Sequence, residues 1–324
     1  MEAHPKVIIR CLVYNHEPYL RDCLEGFVMQ QTNFPFKAVV HDDASTDNSA
    51  AIIREYAEKY PHIIEPIYET ENQYSKHDGS LGRIMNAATL GRSPYLAYCE
   101  GDDYWIDPLK LQKQVDYMDA HPECWLTCSN VELLTSSGLM PDEIRRSSGW
   151  FYCEKSQILP AEQIITKGLH TCSFICRSNI YDHYPEACKK CIVGDIPLQL
   201  SALYLGPIYC FAEKMSLYRV GTPGSFGQRR LKESIKEKRK FNLNIIETFE
   251  SVNQLTNFKY RKAFNQVIYV RLFELAVCTD SLYEKIKVTF QMFKICPFKT
   301  FQICYNILIQ KFKKRGTASK KSRE

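Results

Sequence analysis

Between Val7 and Ala120 the chain alternates four times between a short apolar run and a longer segment with helical spacing. The apolar runs are Val7 to Tyr14, Phe36 to His41, Ile63 to Tyr68 and Tyr95 to Cys99. The helix-like segments are Glu17 to Gln31, Asp47 to Tyr60, Leu81 to Leu90 and Leu109 to Ala120. Short runs rich in β-branched and aromatic residues, bounded by turn residues, read as strands. Strands separated by helices of this length imply βαβ units. The sequence therefore predicts an α/β fold with a mostly parallel sheet flanked by helices on both faces. In such sheets ligands bind beyond the carboxyl ends of the strands. At 324 residues the chain holds one large domain or two small ones.

Two of these strand ends are acidic. The run Tyr95-Leu96-Ala97-Tyr98-Cys99 stops at Glu100-Gly101-Asp102-Asp103, three carboxylates within four residues, followed by Tyr104-Trp105 and the helix signal Pro108. Carboxylates aimed at one point repel, so a fold that gathers them usually places a cation there, and a hard divalent ion completes its shell with water and substrate phosphates. The bland alternative is a solvated acidic turn. The other tip reads His41-Asp42-Asp43-Ala44-Ser45-Thr46-Asp47. Capping of the next helix is reason enough for Ser45, Thr46 and Asp47, but not for Asp42 and Asp43. Carboxylates at such a tip can accept hydrogen bonds from ribose hydroxyls or an imide N–H.

Further along, Gly194-Asp195-Ile196-Pro197-Leu198 opens a helix-like segment running to Leu205, where Asp195 reads as an N-cap from the residues alone. His170, beside the strand-like run Thr171 to Cys176, is a second side chain suited to accept a proton near neutral pH. Met215 to Gly227 has three glycines and a proline around small hydroxyls and reads as a mobile loop, with Arg219 able to balance phosphate charge.

The motifs stand in a specific order: an opening strand ending in Tyr14-Asn15, then Asp42 to Asp47, Asn86 in a helix, and Glu100-Gly101-Asp102-Asp103-Tyr104-Trp105 with Pro108 and Leu111. In that order and spacing, across roughly residues 5 to 225, the chain resembles the family two inverting glycosyltransferases of bacterial type, which have a GT-A fold. The resemblance implies a nucleotide-sugar donor site, with Asp42 and Asp43 on the uracil and ribose and Asn86 and Arg219 in the same site. It places the family's DxD motif on Glu100, Asp102 and Asp103, Glu standing for the first Asp. That motif holds Mg2+ or Mn2+ on the donor diphosphate, and the longer Glu100 leaves Asp102 and Asp103 as the expected nearest metal contacts. Asp195 falls at the position of the catalytic base, ahead of His170. Gly221 stands where many relatives carry a His, and the QxxRW motif of processive relatives is missing, which favours transfer of a single sugar. The implied reaction moves a sugar, most simply from a UDP-sugar, to a glycan hydroxyl in cell-surface polysaccharide biosynthesis. The rival readings are a non-catalytic nucleotide-sugar or carbohydrate-binding relative and a nucleotidyltransferase. The second lacks the Gly-rich, Lys-containing phosphate loop it would need near the first strand.

The expected organisation is a catalytic domain over 1–225, a helical C-terminal extension over 226–312 and a basic tail over 313–324. The formal charge of +5 is uneven: from Ser281 onward eleven Lys or Arg face two Glu, a local +9 that leaves the remainder near −4. Phe298, Phe301, Tyr305, Leu308 and Phe312 recur three and four apart with lysines around them, the pattern of an interfacial helix. No stretch reaches the roughly twenty apolar residues that span a bilayer. An anionic membrane surface is thus a candidate partner, with a lipid-linked saccharide as acceptor. Met1 to Lys6 carries no signal-peptide pattern, so the expected location is cytoplasmic, peripheral at the inner face of the cell membrane, with reduced cysteines. Cys172, Cys176, Cys188 and Cys191 approximate a zinc spacing, but the first two lie along one strand-like run, which argues against a shared metal. No nucleic-acid role is expected, because the basic residues cluster in a tail without a recognised binding module.

Overall fold

The computed structural model describes residues 4–279 and 281–306. The described residues form two compact units, the first drawn from residues 1–189 and 193–232, the second from residues 190–192 and 233–324.

The first unit holds a ten-stranded sheet. Its strands are β1 (Val7–Val13), β2 (Phe36–Asp42), β3 (Ile64–Tyr68), β4 (Tyr95–Tyr98), β5 (Tyr104–Trp105), β6 (Leu126–Thr135), β7 (Gly138–Leu139), β8 (Gln157–Ile158), β9 (Ile175–Arg177) and β10 (Ile208–Arg219). The order is β3-β2-β1-β4-β9-β6-β10-β5, with β7 on β6 and β8 on β10. Strands β3, β2, β1 and β4 are parallel, in the register Val13 to Asp42 and Arg10 to Tyr98. These are the strands that the sequence joins by helices. Beyond β4 the sheet becomes mixed: the three-residue β9 runs antiparallel between β4 and β6, while β10 lies parallel to β6.

Both faces of the sheet are covered, which is why its strands read as unbroken apolar runs. Val7, Ile9, Cys11 and Val13 face one core with Leu20, Cys23, Leu24 and Phe27 of the helix Glu17–Val28. Ile8, Val39 and Leu96 face the other, with Met85, Ile164, Leu198 and Ala202. Fully burying each aliphatic side chain stabilises the fold by about 1.5–3 kcal/mol. Gly26 is needed for close approach, since a Cβ there would come 2.9 Å from the backbone nitrogen of Trp105.

One local reading needs correction. Thr171 to Cys176 is not one strand: Thr171–Ser173 is a 3₁₀ turn whose carbonyls serve side chains from elsewhere, and only Ile175–Arg177 pairs. In consequence Cys172 and Cys176 lie in different cores. The stretch from Ser136 to Trp150 contains β7 and the helix Asp142–Ser147, whose Arg145 is buried with its guanidinium on the carbonyls of Val131 and Phe151. Two helices, Phe226–Leu231 and Ile235–Leu255, follow one another, because Ser234 and Glu237 form a capping box that starts the second.

The second unit packs Ile235–Leu255, Arg261–Cys278 and Leu282–Ile295, followed by helical residues 297–306. Phe241, Ile245, Phe249, Phe264, Ile268 and Leu272 are buried, with Phe249 and Phe264 edge to face at 5.9 Å. Leu308, Phe312, the run Lys311 to Arg315 and the expected tail lie outside the described residues.

Candidate active site

The tips of β1, β2 and β4 lie side by side, and their turns are stitched by polar side chains. Asn15, at φ 56°, accepts the Thr46 N–H at 2.7 Å, and its own N–H donates to Ser45. Asp47 takes the Glu17 and Ser49 N–H groups. Ser45, Thr46 and Asp47 are thus engaged in local turn structure. The two preceding acids divide. Asp43 accepts the N–H groups of Gln73 and Tyr74 at 2.6 and 3.1 Å, which folds the segment after β3 against the tip. Asp42 keeps a buried Oδ1 with no protein partner, and burial raises its carboxyl above the usual range. Buried polar atoms are rarely left unpaired, and Asp42 Oδ1 is free to accept a hydrogen bond. Asn86 lies on the helix Ser80–Thr89 and accepts from Arg10 of β1 at 3.0 Å, a brace within the fold.

After β4, Gly101 brings the chain against β1: its N–H donates to Leu12, and a Cβ would meet His16 Nδ1 at 2.7 Å. Asp103 turns inward. Its Oδ1 accepts the Arg219 N–H at 2.8 Å, and burial, with Asp102 next, pushes its carboxyl well above the ordinary range. Asp102 accepts from the Thr222 hydroxyl at 2.9 Å through Oδ2. The Glu100 side chain reaches solvent but is closely surrounded by protein atoms; the resulting desolvation, then Asp102 and Asp195, pushes its carboxyl up to about 7, and Arg229 opposes them.

Arg219, at the end of β10, is committed to the protein. It donates to the Asp102 carbonyl at 2.7 Å and to Asp22 at 2.5 Å, between the rings of Tyr19 and Tyr104. It braces the acidic turn from behind. The cation on the open side is Arg229, 4.6 Å from the Tyr74 ring centre and felt by both Glu100 and His16.

Asp195 begins the helix Asp195–Leu205 and accepts the Ile196 N–H at 2.9 Å. Burial outweighs that bond and leaves the Asp195 carboxyl raised. Gln199, one turn on, accepts the Leu169 N–H at 2.7 Å and so ties this helix to the segment carrying His170. His170 stacks on Trp150 with ring centres 5.5 Å apart, touches Tyr218 at 4.9 Å, and has an unpartnered Nε2.

Burial, and secondly Arg145, push the His170 imidazole down to about 3. Between about pH 6.5 and 3 the unfolded chain binds a proton there that the folded chain does not. This contribution to stability is full above about 6.5 and is lost as pH falls, at about 1.4 kcal/mol per pH unit. Urea unfolding from pH 7 to pH 4 is expected to show a slope about one proton shallower in His170→Gln than in the wild type. Equal slopes would contradict the assignment.

The family model for glycosyl transferase family 2 matches residues 9–184, which contain both acidic tips and β9. The chain belongs to glycosyl transferase family 2. It is similar to an uncharacterised protein of Mycobacterium tuberculosis, 43% identical over 130 residues, and the match spans 40% of this chain but only 36% of that relative's length. Among solved structures it is similar to residues 1–349 of S. aureus TarS in complex with UDP-GlcNAc, with TM-score 0.54, 15% identity and coverage of 83% and 81% of the two chains. It is also similar to a mannosyltransferase from Pyrobaculum calidifontis in complex with GDP-Man and Mn2+, with TM-score 0.50, 17% identity and coverage of 95% and 86%. These likenesses show the GT-A fold.

For a family 2 chain the DxD segment is the natural place to test for a metal. Among the described residues no three His, Cys, Asp or Glu side chains are already gathered as a ligand set. The donors nevertheless suit a hard cation in their charge: Asp102, then Asp195, raise the Glu100 carboxyl, a repulsion that a cation would relieve. The expected pair Asp102 and Asp103 separates, since Asp103 is spent on the Arg219 N–H while Asp102 keeps Oδ1 for other use. Sequence reasoning missed Thr222, Arg229, His16 and Trp150. Only Thr222 carried a signal, as a hydroxyl within the glycine-rich loop; the others reach the tip through folding alone.

Proposed function

We propose that this family 2 chain transfers a single sugar from a nucleotide-sugar donor, UDP-sugars first, to a glycan hydroxyl in cell-surface polysaccharide assembly, with inversion in one displacement. The observation that carries the reading is that the Glu100 carboxyl, at the β4 tip, is raised by Asp102 and Asp195, while Asp42 at the β2 tip keeps an unsatisfied buried oxygen. Asp42 accepts a hydrogen bond from the nucleoside, while Asp43 shapes the wall of the pocket through Gln73 and Tyr74. Asp195 takes the proton of the attacking hydroxyl as the new bond to the anomeric carbon forms and the bond to the diphosphate breaks. Its raised carboxyl makes it a stronger base than an exposed aspartate. Glu100 and Asp102 are the residues that would hold Mg2+ or Mn2+, which when bound neutralises charge on the departing diphosphate. The acceptor is a saccharide hydroxyl, lipid-linked where the enzyme works at the inner face of the cell membrane.

The test is to incubate the protein with a panel of nucleotide sugars and MnCl2 or MgCl2 and measure released nucleoside diphosphate. Metal-dependent release from one donor, lost in Asp102→Ala, supports the reading. Binding of a donor without release points to a non-catalytic relative, and release of pyrophosphate to a nucleotidyltransferase.

A further inference from the structure

Beyond the catalytic reading, and resting on the second unit alone, we propose that residues 281–306 form a surface that binds anionic lipid bilayers by inserting two aromatic stripes into the interface. The helix Leu282–Ile295 has two apolar faces. Val288 and Met292 are buried, whereas Leu282, Tyr283, Ile286 and Phe290 are exposed, Leu282 at 72% and Tyr283 at 75%. On a helical wheel these four, with the partly buried Phe293, fall within an arc of about 100° on the side away from the buried residues. In residues 297–306 the same division recurs: Thr300 is buried, and Phe298, Phe301 and Tyr305 are exposed in an arc of about 60°, Phe298 at 81%. Seven large apolar side chains on two successive helices make a patch, unlike scattered exposed hydrophobics.

The charges identify the partner. Lys287 and Lys294 border the first stripe on one side and Lys285 on the other, while Lys299 follows Phe298 with its ammonium 5.0 Å from the Tyr269 ring centre. None of the four is in an ion pair among the described residues. The segment's one acid, Glu284, is already paired with Arg239 at 2.5 Å. Apolar rings flanked by lysines, with no free carboxylate between them, match an anionic headgroup layer over an acyl boundary. Among the described residues no helix is long and apolar enough to cross a membrane, so the contact is interfacial.

The experiment is co-sedimentation of the full chain with vesicles of phosphatidylcholine alone or mixed with phosphatidylglycerol. Residues 307–324 stay present in every variant, and circular dichroism checks folding. The wild type is expected to partition at least tenfold more strongly into the anionic vesicles, with the preference falling as salt rises. Lys285→Gln/Lys287→Gln/Lys294→Gln/Lys299→Gln is expected to lose most of that preference. Ile286→Ser/Phe290→Ser/Phe301→Ser is expected to bind at least tenfold more weakly. Equal binding by this last variant and the wild type would overturn the proposal, as would no binding by either. A concentration-dependent dimer abolished by the serine substitutions, without vesicle binding, would assign the face to a second copy and overturn it too. Donor hydrolysis in vesicle-free buffer, measured on the same samples, separates failure of this surface from failure of the catalytic reading.

Discussion

Asp195→Asn is expected to lower kcat for sugar transfer by about a hundredfold to ten-thousandfold, the usual contribution of a positioned general base. Asn preserves the shape and can still accept the Ile196 N–H through its carbonyl, so the helix start is retained. What it removes is the proton-accepting oxygen. Donor affinity, measured by titrating nucleotide into the variant, is expected to change less than about twofold, since the role proposed for Asp195 is on the acceptor. A fall in donor affinity as large as the fall in kcat would place Asp195 in the donor site instead. Asp195→Glu is expected to recover little, because about 1 Å of displacement at a reacting group can cost a hundredfold.

Trp105→Ala is expected to destabilise the first unit by about 3–5 kcal/mol, the range for removing a buried aromatic side chain. Trp105 is 1% exposed and packs edge to face on Phe27 at 5.1 Å, with the Lys110 ammonium 5.1 Å from its ring centre. Its Nε1 donates to the Cys172 carbonyl at 2.9 Å, but that carbonyl also accepts from Ser216 at 2.8 Å. Losing the indole N–H therefore leaves no orphaned acceptor, and the cavity is the larger effect. Against a typical total stability of about 5–15 kcal/mol the loss is severe. Trp105→Phe, which keeps a ring, is expected to cost much less. Denaturant midpoints of the two variants check this, and equal midpoints would show that packing at this site is not what holds the turn. Lys110 and Gln114 donate to the Ser173 carbonyl of the same turn, so damage at Trp105 spreads to His170.

The parallel half of the sheet was legible because each of its strands is apolar on both faces and is followed by a helix with its own period. The two acidic tips were legible for the same reason, since an abrupt acid after a buried strand has few purely structural uses. Which acid of each pair keeps an oxygen free of protein partners was not. Asp42 and Asp43 are adjacent, as are Asp102 and Asp103, and the choice is made by loop N–H groups from Gln73, Tyr74 and Arg219, far away in sequence. Arg219 reads as a phosphate ligand because nothing local reveals Asp22, Tyr19 and Tyr104 around it. The turn Thr171–Ser173 has strand composition, but Trp105, Lys110 and Ser216 claim its carbonyls and tertiary structure overrides propensity. The helix Leu282–Ile295 escaped notice as a surface because one apolar face is buried and another exposed, so the sequence shows no clean single stripe.

The most direct test of the account is a calorimetric titration of UDP into the full chain with MnCl2, repeated with EDTA and with Asp102→Ala. The account predicts saturable binding in the presence of Mn2+ that weakens at least tenfold in EDTA and in the variant. Binding of equal strength in all three conditions, or none by the wild type with Mn2+, would contradict the assignment of Glu100 and Asp102 as the cation-holding half of a nucleotide-sugar site.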